Sequence, residues 1–267
     1  MLIMKIKNKI SLLIIFFLLS VGNSFSQTVW NGWGTVNLSV PVTKKLDVRL
    51  GHMRAYEFNG GKNSFNQTQL RLEYDILKNT KLYAGALVNE IPSSTKGVRK
   101  RAFVRMAYKA RLFDALNFTN GIHGEINSKE ENRFKYRAML YSSLALKHRL
   151  TALNLQPSVT YNLFYNIGGD SLQYYDKSGL KTIKQTADGF HRGRLYLNLN
   201  SKINNRFSVT AYAMFQREFN LFTDANHSIN VINPRTGNVA RSFDNINVAG
   251  LTFDISLGKN GGKKPLF

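Results

Sequence analysis

The chain has no cysteine, so disulfide bonds, thiolate metal centres and a cysteine nucleophile are excluded together. It also has no Pro/Ser-rich linker, no block of like charge and no shift of composition that would mark a boundary. Its 267 residues therefore read as one large domain rather than two small ones. Past Gln27 there is no apolar run long enough to cross a bilayer as a helix, which takes about 18 or more residues. Acids are scarce: 16 Asp and Glu stand against 37 Lys and Arg, a formal net charge of +21. The phosphate-loop pattern GxxxxGK[ST] and the nucleophile elbow GxSxG are both missing.

What is present begins with the first 26 residues. Lys5, Lys7 and Lys9 make a positive start, residues 10–21 are almost purely apolar, and the polar stretch NSFSQ follows, with Ser24 and Ser26 before Gln27. That is the pattern of a secretory signal peptide, 1–26, cleaved after Ser26 to leave a domain over 27–267. The apolar run is too short for a spanning helix, and with no cysteine after the cleavage point a lipoprotein anchor is ruled out. Cleavage removes three lysines and no acid, so the formal charge falls from +21 to +18. In an intracellular protein that balance would suggest nucleic acid. Export removes that partner and leaves outer-membrane lipid, lipopolysaccharide and small anionic solutes.

Beyond Gln27 the recurring pattern is alternation with a period of two, the mark of strands with unlike faces. Over 67–77, Leu70, Leu72, Tyr74 and Ile76 oppose Gln69, Arg71, Glu73 and Asp75. Over 98–112, Ala102, Val104, Met106, Tyr108 and Leu112 oppose Arg101, Arg105, Lys109 and Arg111. Over 132–147, Phe134, Tyr136, Ala138 and Leu140 oppose Arg133, Lys135 and Arg137. Similar runs fill 153–165, 206–219 and 245–258, and weaker ones 28–40, 46–58, 81–91, 116–127 and 189–200. Most are 11–16 residues long, against five or six in an ordinary globular sheet, whereas a tilted membrane strand needs about 9–11 plus its ends. The connections alternate short and long, as they do in outer-membrane barrels.

These features predict an all-β fold: an antiparallel transmembrane β-barrel of about 10–12 strands after a cleaved signal peptide, in the outer membrane of a Gram-negative bacterium. Eleven strands are counted, although bacterial barrels normally have an even number. With eleven, the first and last strands run the same way and closure needs a parallel pair. Two irregularities accompany the count. Pro157 falls inside a strand, where it removes a ladder donor, and 220–244 carries the pattern of an extra hairpin, SINVI–NPRTG–NVARSF.

So arranged, the chain resembles the DUF2490 family, barrel-type outer-membrane proteins of Bacteroidetes and related bacteria without an assigned activity. The resemblance rests on the early aromatic strand VWNGWG, the repeated strand–KK/NK–strand hairpins, and a central strand ending in Glu followed by RFKYRAML. A very basic fifth strand and the insert at 220–244 depart from it. The resemblance implies an outer-membrane barrel and no known ligand.

No catalytic or metal signature stands out. His52, His123, His148, His191 and His227 show no HxxxH or HExxH spacing, and no metal or cofactor is expected. The nearest approach to a triad is His123, Glu125 and Ser128 in GIHGEINS, with His123 and Glu125 on the lumen-facing phase, the wrong side for a bilayer substrate. His191 has the lipid-facing phase and no serine beside it. The lumen is the better candidate. Arg49, Arg71, Arg101, Arg105, Lys109, Arg111, Arg133, Lys135, Arg137, Arg192 and Arg194 fall on the polar phase, with Asp47, Glu73, Asp75, Glu125, Glu218 and Asp254. Arg–carboxylate pairs, Glu125 with Arg133 or Arg137 above all, would fill a narrow barrel, and the surplus of bases leaves room for an anion path. Tyr174, Tyr175, Lys177, Lys181, Lys184, Arg235 and Arg241 fall in the long loops, where lipopolysaccharide phosphates would attract them.

Three functions follow. The first is a structural or narrow anion-biased pore protein, matured by the barrel-assembly machinery. The second is a barrel enzyme modifying lipid or lipopolysaccharide. The third is an interaction protein working through 166–188 and 220–244.

Overall fold

Alternating side chains, combined with turns too short to let the chain wander, lay successive strands side by side. The structure, a computed structural model, describes residues 29–58, 63–92, 97–112, 114–239 and 241–258; the predicted signal peptide lies outside the described residues. The strands are β1 (Val29–Pro41), β2 (Leu46–Glu57), β3 (Asn63–Leu77), β4 (Thr80–Glu90), β5 (Arg99–Leu112), β6 (Leu116–Asn127), β7 (Tyr136–Leu146), β8 (Leu155–Ile167), β9 (Leu172–Tyr175), β10 (Lys181–Gln185), β11 (Gly189–Lys202), β12 (Phe207–Leu221) and β13 (Ile246–Ser256). Eleven of them close into one barrel in the order β1–β13–β12–β11–β8–β7–β6–β5–β4–β3–β2, while β9 and β10 form a separate two-stranded sheet. The fold is all-β, and every run read as a strand from its alternation is a barrel strand.

The odd count is real. A meander of eleven strands leaves its ends pointing the same way, and β1 pairs with β13 in parallel, from Val29 opposite Ile246 to Ser39 opposite Ser256. All other barrel pairs are antiparallel. Pro157 costs the barrel little, because the pairing of β8 with β7 stops at Ser158. Beyond that point the Gln156 side chain takes over and donates to the Leu146 carbonyl at 2.6 Å.

The outer surface is apolar around the whole circumference. Val36, Leu50, Leu70, Leu72, Val104, Met106, Ile122, Leu140, Val159, Leu199, Leu251 and Phe253 are all exposed there. Among the polar residues on it, His52 bonds Thr68 at 3.0 Å and Ser142 bonds Asn120 at 2.6 Å. Inside, bulky rings lie flat against glycines directly opposite on the next strand. Tyr141 covers Gly121 and Tyr212 covers Gly250, at distances that leave no room for a Cβ on either glycine. That close approach keeps the rings against the wall.

Five expectations need correction. The strand expected from residue 132 begins at Tyr136; Phe134, ahead of it, has not entered the alternation and is buried on the inner side, while Lys135 lies exposed over the Tyr136 ring. His191 does not face outward. It is the extra residue of a bulge in β11, where Phe190 pairs with Tyr165 and Arg192 with the very next residue, Phe164. The bulge turns His191 into a fully buried position. The hairpin expected in 220–244 is reduced to a single bridge, Ile232 to Val239. A hairpin forms instead in the other long loop, as β9 and β10.

Candidate functional site: an arginine-lined interior cavity

Inward phases converge six arginines on a cavity of about 530 Å³ in the half of the barrel nearer the long loops. Arg99 and Arg101 come from the start of β5, Arg137 from the start of β7, Arg192 and Arg194 from β11, and Arg133 from the segment leading into β7. Regular alternation from Arg192 onward places Arg192 and Arg194 on the inside, and the bulge above them changes the side of His191 alone.

Three carboxylates meet these arginines. Glu125, opposite Arg137 on the neighbouring strand, forms an ion pair with its Nε at 2.6 Å and stands 3.4 Å from Arg101 Nε. Glu218, opposite Arg192, accepts from it at 2.5 Å. Glu131 takes Arg99 at 3.0 Å. Six guanidiniums against three carboxylates leave the cavity with three positive charges in excess. The Arg133 and Arg194 guanidiniums reach no carboxylate among the described residues, the Arg133 backbone N–H alone donating to Glu131 Oε1 at 3.3 Å. Arg133 lies over the Phe243 ring at 5.0 Å, and Arg194 donates to Gln216 at 2.7 Å and lies over Phe164 at 5.2 Å. Arg137 stacks on the same Phe164 ring, at 4.8 Å. Holding two guanidiniums on one phenyl ring is favourable for each separately and repulsive between them.

Toward the short turns the interior carries paired charges. Arg49 stands between Glu73 at 3.3 Å and Asp254 at 3.5 Å, and Arg71 holds Glu73 from the other side. Arg105 meets no carboxylate among the described residues; its guanidinium lies 3.7 Å from the centre of the Tyr141 ring and 5.4 Å from that of Tyr83. Lys81 meets Asp75 at 3.1 Å. Lys109 and Arg111 lie exposed at the end of β5.

The weak triad candidates do not assemble. His123 Nε2 meets Glu125 Oε2 at 3.1 Å and its ring stacks on Phe103, but Ser128 Oγ accepts from the Lys100 backbone N–H at the barrel's end. Glu125 is engaged by Arg137 and Arg101 as well, so its role is to pair charge.

The long loops have a small core of their own in Leu172, Tyr174, Ala187, Ile229 and Phe243. Burial there pushes the Tyr174 hydroxyl up to about 12, with Asp188 and Asp224 adding to the rise. Arg241, expected as a free surface base, instead donates to the Asn132 and Asp170 carbonyls at 3.0 and 2.9 Å and ties three loops together. Lys177, Lys181 and Lys184 remain exposed. Sequence phase pointed to the inward arginines; the aromatic residues that complete the cavity, Trp33, Phe65, Tyr196 and Tyr212, carried no such signal, because a ring suits either face of a strand.

No curated protein matches the chain. The family described as protein of unknown function (DUF2490) matches residues 20–227, from before β1 through β12. A match of that length, over a chain whose eleven long strands close into one barrel, makes this protein a member of the DUF2490 family.

Proposed function

We propose that the protein is exported with loss of residues 1–26, spans a Gram-negative outer membrane as a barrel, and gives anionic solutes a narrow, basic interior. The observation that carries the anion reading is the charge of the cavity wall, six arginines against three carboxylates. The membrane reading is supported by the outer surface. Monomeric soluble proteins rarely expose apolar patches beyond a few hundred Å², and here the apolar band runs round the whole barrel. Most exposed aromatics of the barrel lie toward its two ends, Tyr56, Phe58 and Tyr136 near the long loops and Tyr74, Tyr108, Phe207 and Phe253 near the short turns, with Tyr161 alone of them at mid-strand in β8. Girdles of that kind mark the two interfaces of a membrane barrel.

In planar bilayers under a salt gradient the purified barrel should give an anion-selective reversal potential, and Arg133→Gln with Arg194→Gln should move it toward cations. Cation selectivity in the unaltered protein would sink the anion reading. A second reading, a structural barrel, is favoured by the paired charges of the other half of the interior, and absence of conductance would support it.

A further inference from the structure

The cavity wall is not uniform around the barrel. One continuous arc, from β5 through β6, β7 and β8 to β11, carries all six arginines. The facing arc, from β12 through β13, β1 and β2 to β3, presents Tyr212, Thr252, Trp33, Met53 and Phe65 to the cavity and no charged side chain. This neutral wall is held in place. Trp33 and Phe65 meet edge to face with ring centres 5.6 Å apart, and Tyr212 is pinned over Gly250. A bare inorganic anion would use only the basic arc. The volume of about 530 Å³ is that of a pocket for an organic molecule, since such sites run from about 300 to 1,000 Å³.

We propose that the cavity binds a soluble organic anion built on a ring. Its phosphate, sulfonate or carboxylate lies on the basic arc and its ring against Trp33, Phe65 and Tyr212. Arg133 and Arg194, whose guanidiniums have no carboxylate partner among the described residues, take the anionic group, while Arg99, Arg101, Arg137 and Arg192 are held in position by their acids. This rests on the anion reading given above and adds the second half of the ligand.

Titration calorimetry on the detergent-purified barrel, with inorganic phosphate, phenyl phosphate and neutral phenyl glucoside as probes, tests it. Phenyl phosphate should bind about tenfold more tightly than inorganic phosphate, the worth of about one good aromatic contact. Trp33→Leu with Phe65→Leu should abolish that advantage and leave inorganic phosphate unchanged. Arg133→Gln with Arg194→Gln should weaken both phosphates about tenfold, and the glucoside should bind far more weakly than phenyl phosphate. Equal affinity for the two phosphates, both weakened by the arginine changes, overturns the ring site and leaves the anion reading standing. Binding of neither phosphate overturns both. Equal affinity for phenyl phosphate and phenyl glucoside overturns the anionic half. Should the double leucine variant not fold, the chain's two tryptophans offer another measurement. In a Trp30→Phe background only Trp33 fluoresces, and 4-nitrophenyl phosphate should quench it saturably with the calorimetric affinity; no quenching overturns the proposal.

Discussion

Glu125 shows how much one side chain holds in this barrel. Its carboxylate is almost wholly buried and meets Arg137, Arg101 and His123. Replacing it with alanine leaves two guanidiniums facing each other in a confined space with no counter-charge. Breaking a buried pair from one side costs about 3–5 kcal/mol, so Glu125→Ala should lower the denaturant midpoint strongly. Lys177→Ala, on an exposed loop, should stay within about 0.5 kcal/mol. Equal midpoints for the two variants would mean that the interior is wet enough to solvate free arginines. Strand phase offered Arg133 and Arg137 alike as partners for Glu125, and the partner is Arg137. Arg133, three residues outside the start of β7, lines the cavity, but its guanidinium lies over Phe243 and not on Glu125, because the chain there has yet to enter the sheet that would set it opposite β6.

Among the elements, the β1–β13 seam is the distinctive one. Parallel ladders are slightly weaker per residue than antiparallel ones, and this is the only parallel pair of the described barrel. Side chains reinforce it: Asn37 Nδ2 donates to Asp254 Oδ1 at 2.9 Å, and Arg49 from β2 reaches the same carboxylate at 3.5 Å. Asn37→Ala should therefore cost about 1 kcal/mol, the usual worth of one such hydrogen bond. Ser143, which bonds Thr160 within the antiparallel β7–β8 pair at 2.8 Å, provides the comparison. If the seam opens first, hydrogen exchange in Asn37→Ala should rise along β1 and β13 before it rises elsewhere. In Ser143→Ala, exchange along β1 and β13 should be unchanged; a rise there too would mean that the seam is no weaker than the rest of the barrel. The β11 bulge acts on one residue: without it, His191 would face outward.

At the scale of the whole molecule, a barrel with an apolar girdle and a charged interior should stay folded in detergent. It should migrate faster on gels unheated than boiled, and a monodisperse detergent-free form would argue against the membrane reading. Much of this architecture is written locally. Strand positions, their two faces, the short and long connections and even the odd count follow from alternation, because a period-two pattern assigns a face to every residue without reference to any other strand. Three-dimensional proximity is different in kind. The sequence determined that arginines would point inward and that acids would be too few to match them. It did not determine that all six cavity arginines would share one arc, that Arg133 and Arg194 would be the two without carboxylates, or that Trp33 and Phe65 would face them. Those depend on which strands lie opposite one another after closure. Closure of the barrel decided them, because only a closed sheet brings β1 and β3 to face β7 and β11.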